Sequence, residues 1–263
     1  MSRLTSNRSS TTSRVLYLFT RDLRLEDHAG LTEAARHGEV VPALVLAAQG
    51  RKRLARSPKR AAFFCEAVRV LADEIAARRS LLHVRRGPLE STALRLAREY
   101  GAQTVVWSWA YDAATVEEQR ALQSALEEEG IRAVGVHDAP CVAPDETAAS
   151  RAAGGTGYRA FAAYYANWCR STPPSYRRHP SFAAPRVAAS ESLPLPQEFG
   201  SAPEARWENP AQLLERFIES GALQYATMCH VPGVAGTSRL GAHLSFGTIS
   251  ARMVLARALE RAN

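Results

Sequence analysis

A short polar stretch near the carboxyl end of the sequence combines residue types that suit phosphate binding. Gly236 lets the backbone turn, and Thr237 and Ser238 supply hydroxyl groups that also favour a helix start. Arg239 adds a planar fork of donors that matches a phosphate or pyrophosphate group. Together these residues predict an anion held at the amino end of a helix. The alternative is an ordinary helix cap beside one solvated arginine, and this stretch alone does not separate the two.

The surrounding segment resembles the flavin-binding stretch of the DNA photolyase/cryptochrome family. The residues in register with the family pattern are Thr237, Ser238, Arg239, Leu240, His243, Leu244, Phe246, Gly247, Ser250 and Arg252. The resemblance implies a bound FAD, and Tyr225 occupies the position of the family's flavin-phosphate tyrosine. The residues expected to contact FAD are therefore Tyr225, Thr237, Ser238, Arg239, Leu240 and Gly241. The resemblance assigns no catalytic residue and no metal ligand to this sequence.

Three positions depart from the family pattern. Gly241 stands where the family has a serine, which removes one hydroxyl contact to the flavin phosphates. Ala242 stands where the family has a proline, so the turn is less preset. Cys229 occupies a position at which many photolyases carry an arginine that contacts the DNA backbone, and this weakens the prediction of a phosphate contact there.

A second motif follows the first apolar run of the chain. The residues Arg21, Asp22, Leu23, Arg24, Asp27, His28 and Leu31 resemble another signature of the same family. A charged loop at the carboxyl end of a first parallel strand is where a doubly wound sheet presents groups that face a ligand or an interface. The alternative is that Asp22 and Arg24 pair with each other and cap the next helix.

The elements that must position these motifs alternate between strand and helix. Apolar runs predict strands at 15–19, 40–46, 81–84, 104–107 and 131–136. Helical periodicity predicts helices at 29–37, 59–79, 89–100 and 115–129. This alternation predicts an α/β fold, with a five-stranded parallel Rossmann-like sheet and helices on both faces. No glycine-rich dinucleotide fingerprint follows any of these strands.

The sequence divides into four predicted regions. Residues 1–13 form a disordered tail, 14–138 an α/β antenna domain, 139–206 an aromatic helix and a Pro-rich inter-domain linker, and 207–263 the start of an all-α FAD-binding domain. In the aromatic helix, Phe161, Tyr165 and Trp168 share one face, and we expect them to pack into a core. Helices are expected at 210–220 and 223–228, and Ser250 should cap the last one.

Composition limits the class of protein. The 263 residues carry a formal net charge of +7, which suits a polyanionic partner such as DNA, although a bias toward arginine and alanine would produce the same charge. The four cysteines lack the spacing of a disulfide framework or a zinc site, which favours a reducing cytoplasm. No apolar run reaches the ~18 residues that would span a bilayer, so no membrane partner is expected. We expect a monomer.

The resemblance implies light-driven, flavin-dependent repair of pyrimidine dimers in DNA. It covers only the first part of a photolyase, so we expect a truncated and inactive chain, and whether the chain is an enzyme stays open. An antenna pigment of folate or deazaflavin type is also implied, but Ser108 and Asp112 stand where folate-using relatives carry Asn and Glu. The alternatives are a cryptochrome-type photoreceptor and a nucleotide-binding α/β signalling module, for which residues 154–157 are the one candidate phosphate loop.

Overall fold

The computed structural model describes residues 13–142, 158, 160–171, 181–183, 193–194, 196–199 and 206–262. The predicted tail, apart from Ser13, lies outside these residues, and so do the candidate loop at 154–157 and most of the Pro-rich region. None of the described helices is both long and apolar enough to cross a membrane.

Five parallel strands form one sheet, as predicted. They are β1 (Arg14–Phe19), β2 (Glu39–Leu46), β3 (His83–Arg86), β4 (Thr104–Ser108) and β5 (Arg132–Val136). Their order is β3-β2-β1-β4-β5, so the chain reverses its direction of winding between β1 and β4. The third strand begins two residues later than predicted, because its register with β2 starts at the pair Ala43 and His83. The apolar Leu82 is buried just before the strand begins.

Helices cover both faces of this sheet. They are α1 (Ala29–Ala34), α2 (Ala48–Ala55), α3 (Pro58–Ala77), α4 (Leu89–Tyr100) and α5 (Ala113–Glu128). Alternate β1 residues enter opposite cores: Tyr17 packs in the core that contains α3, and Leu16 in the core that contains α4 and α5. Helix α2 was not predicted, because Leu54 is its one buried residue and its sequence lacks apolar periodicity.

Further helices follow the sheet. They are α6 (Phe161–Trp168), a 3-10 turn (Pro196–Phe199), α7 (Pro210–Ser220), a 3-10 turn (Ala222–Gln224), α8 (Tyr225–Met228), α9 (Gly241–Phe246) and α10 (Ala251–Ala262). Leu213, Leu214, Ile218, Leu240 and Ile249 form a small core of their own. Ser250 caps α10 as predicted, since its hydroxyl accepts a hydrogen bond from the N–H of Met253 at 2.9 Å.

The prediction that the aromatic face of α6 packs into a core is wrong. Phe161 is 75% exposed and Tyr165 is 52% exposed. The rings of Phe161 and Tyr165 stack on each other at 5.7 Å, and Tyr165 stacks on Trp168 at 6.4 Å. Helical spacing placed these rings on one face correctly, but they cover each other and no other described element buries them.

Described parts of the predicted linker lie against the sheet domain. The N–H of Val40 donates to Ser181 O at 2.9 Å, and the N–H of Ala183 donates to Val40 O at 2.8 Å. Phe199 is buried and lies edge-on to Phe64 of α3. These short segments extend the sheet domain, while the domain boundaries themselves stay a prediction.

Candidate functional site

Two buried residues fix the ends of the polar turn at 236–241. A Cβ atom on Gly236 would lie 2.3 Å from the carbonyl oxygen of Met228, so a glycine is required for the turn to pack against the end of α8. At the other end, the side chain of Leu240 is buried in the small helical core. The same α8 carries Tyr225, whose ring is 50% exposed and lies edge-on to Phe217 at 5.9 Å.

The polar groups between these anchors face solvent. Thr237 and Arg239 are exposed, Ser238 is half-buried, and Arg239 has a left-handed backbone with φ of 56°. Among the described residues, no carboxylate pairs with Arg239, and the N–H groups of residues 237–239 donate no hydrogen bond. Two hydroxyls, a guanidinium and three free N–H groups form a donor set that fits a phosphate or pyrophosphate. Gly241 is exposed, and a Cβ atom there would meet nothing within 4 Å.

The last two residues of the flavin-like motif have a different role. Arg252 donates to Asp138 Oδ1 at 3.0 Å and to Asp27 Oδ2 at 3.2 Å, and Ser250 donates to the same Asp27 carboxylate. Arg24, from the loop after β1, donates to Asp138 Oδ2 at 2.7 Å. We call these five residues the buried junction, because they join the sheet domain to α10. The side chains of its four charged residues are only 2–14% exposed, and each pairs within the junction, so none of them is available to a ligand on the turn.

Asp138 is the centre of the buried junction. Burial alone would raise the pKa of this carboxyl, but the charges of His28 and of the two arginines hold its pKa well below its ordinary value. It also accepts a hydrogen bond from the N–H of Ala29 at 2.9 Å. Sequence reasoning missed Asp138, although its position directly after β5 is one at which a parallel sheet presents polar groups.

Asp22 and Arg24 do not pair with each other, so the alternative interpretation of this loop is not the one observed. Asp22 instead accepts hydrogen bonds from Tyr17 Oη at 2.5 Å and from the N–H of Thr20 at 2.7 Å, and His28 Nε2 lies 3.3 Å from its carboxylate. Burial is the largest single influence and favours the neutral acid, but the hydrogen bond and charge of His28, together with the hydrogen bond from Ser108, outweigh it and lower the pKa of Asp22. Arg24 pairs with Asp138 instead, at 2.7 Å. The motif therefore faces an interface, which was one of the two predicted roles.

Gly247 allows the helical segment to approach the β1 loop. Its φ is 66°, and a Cβ atom on it would lie 2.0 Å from the carbonyl oxygen of Arg21. At the same contact, the N–H of Leu23 donates to Phe246 O at 3.1 Å. A glycine is needed here for both backbone conformation and space.

An aromatic seam between α3 and α9 completes this interface. Phe63 stacks on Phe246 at 5.7 Å, and the His243 ring lies 4.9 Å from Phe63 and 5.0 Å from Trp207. Burial lowers the pKa of His243. His243 and Phe246 therefore pack the motif onto the sheet domain. The sequence did not predict this contact, because the apolar residues of α3 do not indicate which distant helix packs against them.

A cleft opens at the carboxyl ends of the strands, and we call it the strand-end cleft. Its volume is about 150 Å³, and its floor is apolar, with Leu44, Leu46, Leu54 and Phe64 among its residues. Four arginines and one carboxylate also line it: Arg21, Arg51, Arg53, Arg60 and Glu118. Its position near the crossover between β1 and β4 is where open α/β sheets bind ligands.

The two positions expected to discriminate against folate are both occupied by internal contacts. Ser108 is buried and lies 3.0 Å from Tyr17 Oη. Asp112 accepts a hydrogen bond from Arg53 at 2.8 Å and lies 3.3 Å from Arg21. Although burial acts in the opposite direction, the hydrogen bonds from Arg53 and Thr115 lower the pKa of Asp112 to about 2.

Comparisons with known proteins identify the family. The DNA photolyase family model matches residues 15–185. The chain is 30% identical over 258 residues to the deoxyribodipyrimidine photo-lyase of Halobacterium salinarum, covering 91% of this chain and 53% of that protein. It is 26% identical over 269 residues to cryptochrome-1 of Sinapis alba, covering 93% and 52%. The chain belongs to the DNA photolyase family.

Solved structures share the fold. A photolyase from Sulfolobus tokodaii, solved with two FAD molecules, superposes with a TM-score of 0.78 at 21% identity, covering 92% of this chain and 54% of that one. A cryptochrome from Synechocystis superposes with a TM-score of 0.80 at 19% identity, covering 95% and 56%. The chain thus spans about half the length of the relatives that it matches.

Proposed function

We propose that this chain binds FAD through the turn at 236–241, as part of light-driven repair of pyrimidine dimers in DNA. The observation that carries the proposal is the donor set of Thr237, Ser238 and Arg239, whose backbone N–H groups and guanidinium have no partner among the described residues. Tyr225, Leu240 and Gly241 complete the proposed contacts. The protein's part is to hold the pyrophosphate and orient the flavin, and bound FAD supplies the light-driven electron transfer.

Damaged DNA is the proposed substrate. The formal net charge of +7 favours association with a polyanion and makes it dependent on salt. Family membership supports the same partner, while Cys229 offers no charge to a DNA phosphate. A monomer in the cytoplasm remains our prediction for the state and location of the chain.

The strand-end cleft is the proposed site of a second chromophore. Its apolar residues suit an aromatic ring system, and Arg51 and Arg60, which form no ion pair among the described residues, suit an anionic one. The contacts of Ser108 and Asp112 with Tyr17 and Arg53 favour a pigment other than folate.

A cryptochrome-type photoreceptor is the second candidate function. Cryptochrome-1 of Sinapis alba is among the relatives, and the residues of the turn and of the buried junction fit either role. The two functions differ in whether DNA is repaired, so one assay separates them.

The first experiment is an absorption spectrum of the purified chain after incubation with FAD. We expect a flavin spectrum at near one-to-one occupancy, and its loss in the triple variant Thr237→Ala, Ser238→Ala, Arg239→Ala. Retention of FAD by the triple variant would contradict the proposed site. Repair of a dimer-containing oligonucleotide under blue light then distinguishes photolyase from cryptochrome, and the same assay tests the sequence-based prediction that this 263-residue chain is inactive.

A further inference from the structure

A second cavity lies between the start of α3 and the exposed face of α9, and we call it the basic cavity. Its volume is about 580 Å³. Its lining residues are Ser57, Lys59, Arg60, Phe63, Arg206, Ala242, Ser245 and Phe246. Three of these are cations and two are hydroxyl residues, and no carboxylate lines the cavity among the described residues. None of the residues 236–241 lines it, so it is separate from the turn proposed for FAD.

No carboxylate in the described part of the chain pairs with the cations of the basic cavity. Among the described residues, Lys59, Arg60 and Arg206 take part in no ion pair. Exposed arginines elsewhere in the chain, such as Arg69 and Arg216, pair with nearby glutamates. Cations that converge on one cavity repel each other, and an anion with several oxygens would relieve that repulsion and accept hydrogen bonds from all three.

One pair of side chains forms a wall of both the basic cavity and the strand-end cleft. Arg60 and Phe246 line each of them. The guanidinium of Arg60 lies over the Phe246 ring at 5.2 Å from its centre, which holds the arginine between the two spaces. The strand-end cleft and the basic cavity therefore adjoin each other at this pair of side chains.

We propose that the basic cavity is a phosphate-binding site, and that the phosphate belongs to the small molecule whose ring system occupies the strand-end cleft. This inference rests on the proposed chromophore function of that cleft and narrows it to a phosphoester-bearing pigment. Lys59 and Arg206 supply charge to the phosphate, Ser57 and Ser245 supply hydroxyls, and Arg60 contacts the ligand where it passes between the two spaces.

Riboflavin and FMN test the proposal, because they share one ring system and differ by a phosphate. We expect the full chain, in an Arg239→Gln background that weakens the turn, to bind FMN about tenfold more tightly than riboflavin. The double variant Lys59→Gln, Arg206→Gln should bring this ratio close to one without changing the dissociation constant of riboflavin. The control variant Arg95→Gln, Arg120→Gln removes the same charge from exposed positions outside both cavities and should keep the ratio.

Three results would overturn the inference. Equal binding of riboflavin and FMN would reject the phosphate site while leaving the cleft as a pigment site. Failure of both flavins to bind would reject the ligand and the cleft function together. If the double variant Lys59→Gln, Arg206→Gln keeps its preference for FMN but binds undamaged duplex DNA more weakly, the two cations contact DNA phosphates and not the phosphate of a pigment.

Discussion

The buried junction and the exposed turn contain the same kinds of residues and use them in opposite ways. In the junction, the side chain of Arg252 is 5% exposed and its donors are satisfied by Asp27 and Asp138. In the turn, Arg239 is exposed and has no ion-pair partner among the described residues. Both arginines belong to the segment at 237–252 that resembles the family's flavin-binding stretch. Arg252 stabilises the fold, whereas Arg239 is available to a ligand.

Burial explains this division of roles. A charge removed from water requires a partner inside the protein, and a missing partner leaves a large desolvation penalty. An exposed arginine remains hydrated without a partner, so its donors stay available for a phosphate. The spacing of residues in a motif does not distinguish these cases, whereas the packing around each residue does.

The comparison is most strongly tested by Arg252→Ala. This variant leaves the Asp138 carboxylate buried with one partner fewer, and we expect it to lower the free energy of unfolding by about 3–5 kcal/mol. Arg257→Ala is the matched control on the same helix, because Arg257 forms an exposed pair with Glu215 at 2.5 Å. The control should lose only about 0–1 kcal/mol. Urea denaturation measures both, and equal losses would mean that the buried junction stabilises the chain no more than an exposed ion pair does.

Gly247→Ala should have the next largest effect. The added methyl group would occupy the space of the Arg21 carbonyl, and the residue has a left-handed backbone. We expect a loss of roughly 2–4 kcal/mol, from the strained backbone together with overpacking. Gly241→Ala is the matched control, since its methyl group would enter open space, and its effect should lie within about 0.5 kcal/mol. A tolerated Gly247→Ala would show that the contact with the β1 loop can open.

These contacts show which features the sequence could predict. The apolar runs of β1 and β2 and the periodicity of α4 are local patterns, and they predicted the sheet and its helices well. The contacts of Arg252 with Asp138 join positions far apart in the chain, so no local pattern contains them. Phe161 and Tyr165 show the opposite limit, because helical spacing predicted their common face but could not show whether another element covers it. The residues proposed for FAD binding came from a resemblance, and their contacts with FAD stay a prediction.

Arg239→Ala should have the opposite effect to that expected of Arg252→Ala: it should weaken FAD binding and leave the stability of the fold almost unchanged. Its removal deletes charge-assisted hydrogen bonds to a phosphate, so the dissociation constant of FAD should rise about tenfold. The free energy of unfolding without FAD should change by less than about 0.5 kcal/mol, because no described residue depends on this side chain. Flavin fluorescence titration and urea denaturation provide the two readouts. Unchanged FAD affinity would remove Arg239 from the proposed site.

Acid should weaken both the junction, through Asp138, and the neighbouring β1 loop, through Asp22, and it should leave the turn unaffected. Asp22 and Asp138 have pKa values below the ordinary value in the folded chain, so their ionisation stabilises the fold above the ordinary pKa of about 4. Below that pH the unfolded chain binds more protons, and the free energy of unfolding falls by about 1.4 kcal/mol for each unit of pKa difference. Arg252→Ala should make this fall shallower by about 1 kcal/mol, because it removes one cause of the low pKa of Asp138. Urea denaturation at a series of pH values measures the slope, and an unchanged slope in the variant would contradict the assignment.

Gly241→Ser should produce the smallest effect and the only gain. The family pattern has a serine at this position, and the open space around Gly241 accommodates the new side chain without strain. One added hydroxyl facing the proposed pyrophosphate is worth about 0.5–1.5 kcal/mol, so FAD should bind a few-fold more tightly. Gly241→Ala separates the effect of the hydroxyl from the effect of the added carbon. It adds bulk without a hydrogen-bond donor, so FAD affinity should stay unchanged. Equal affinities for the serine and alanine variants would place the phosphate away from this end of the turn, and the free donors of Thr237 and Ser238 would then mark its closer side.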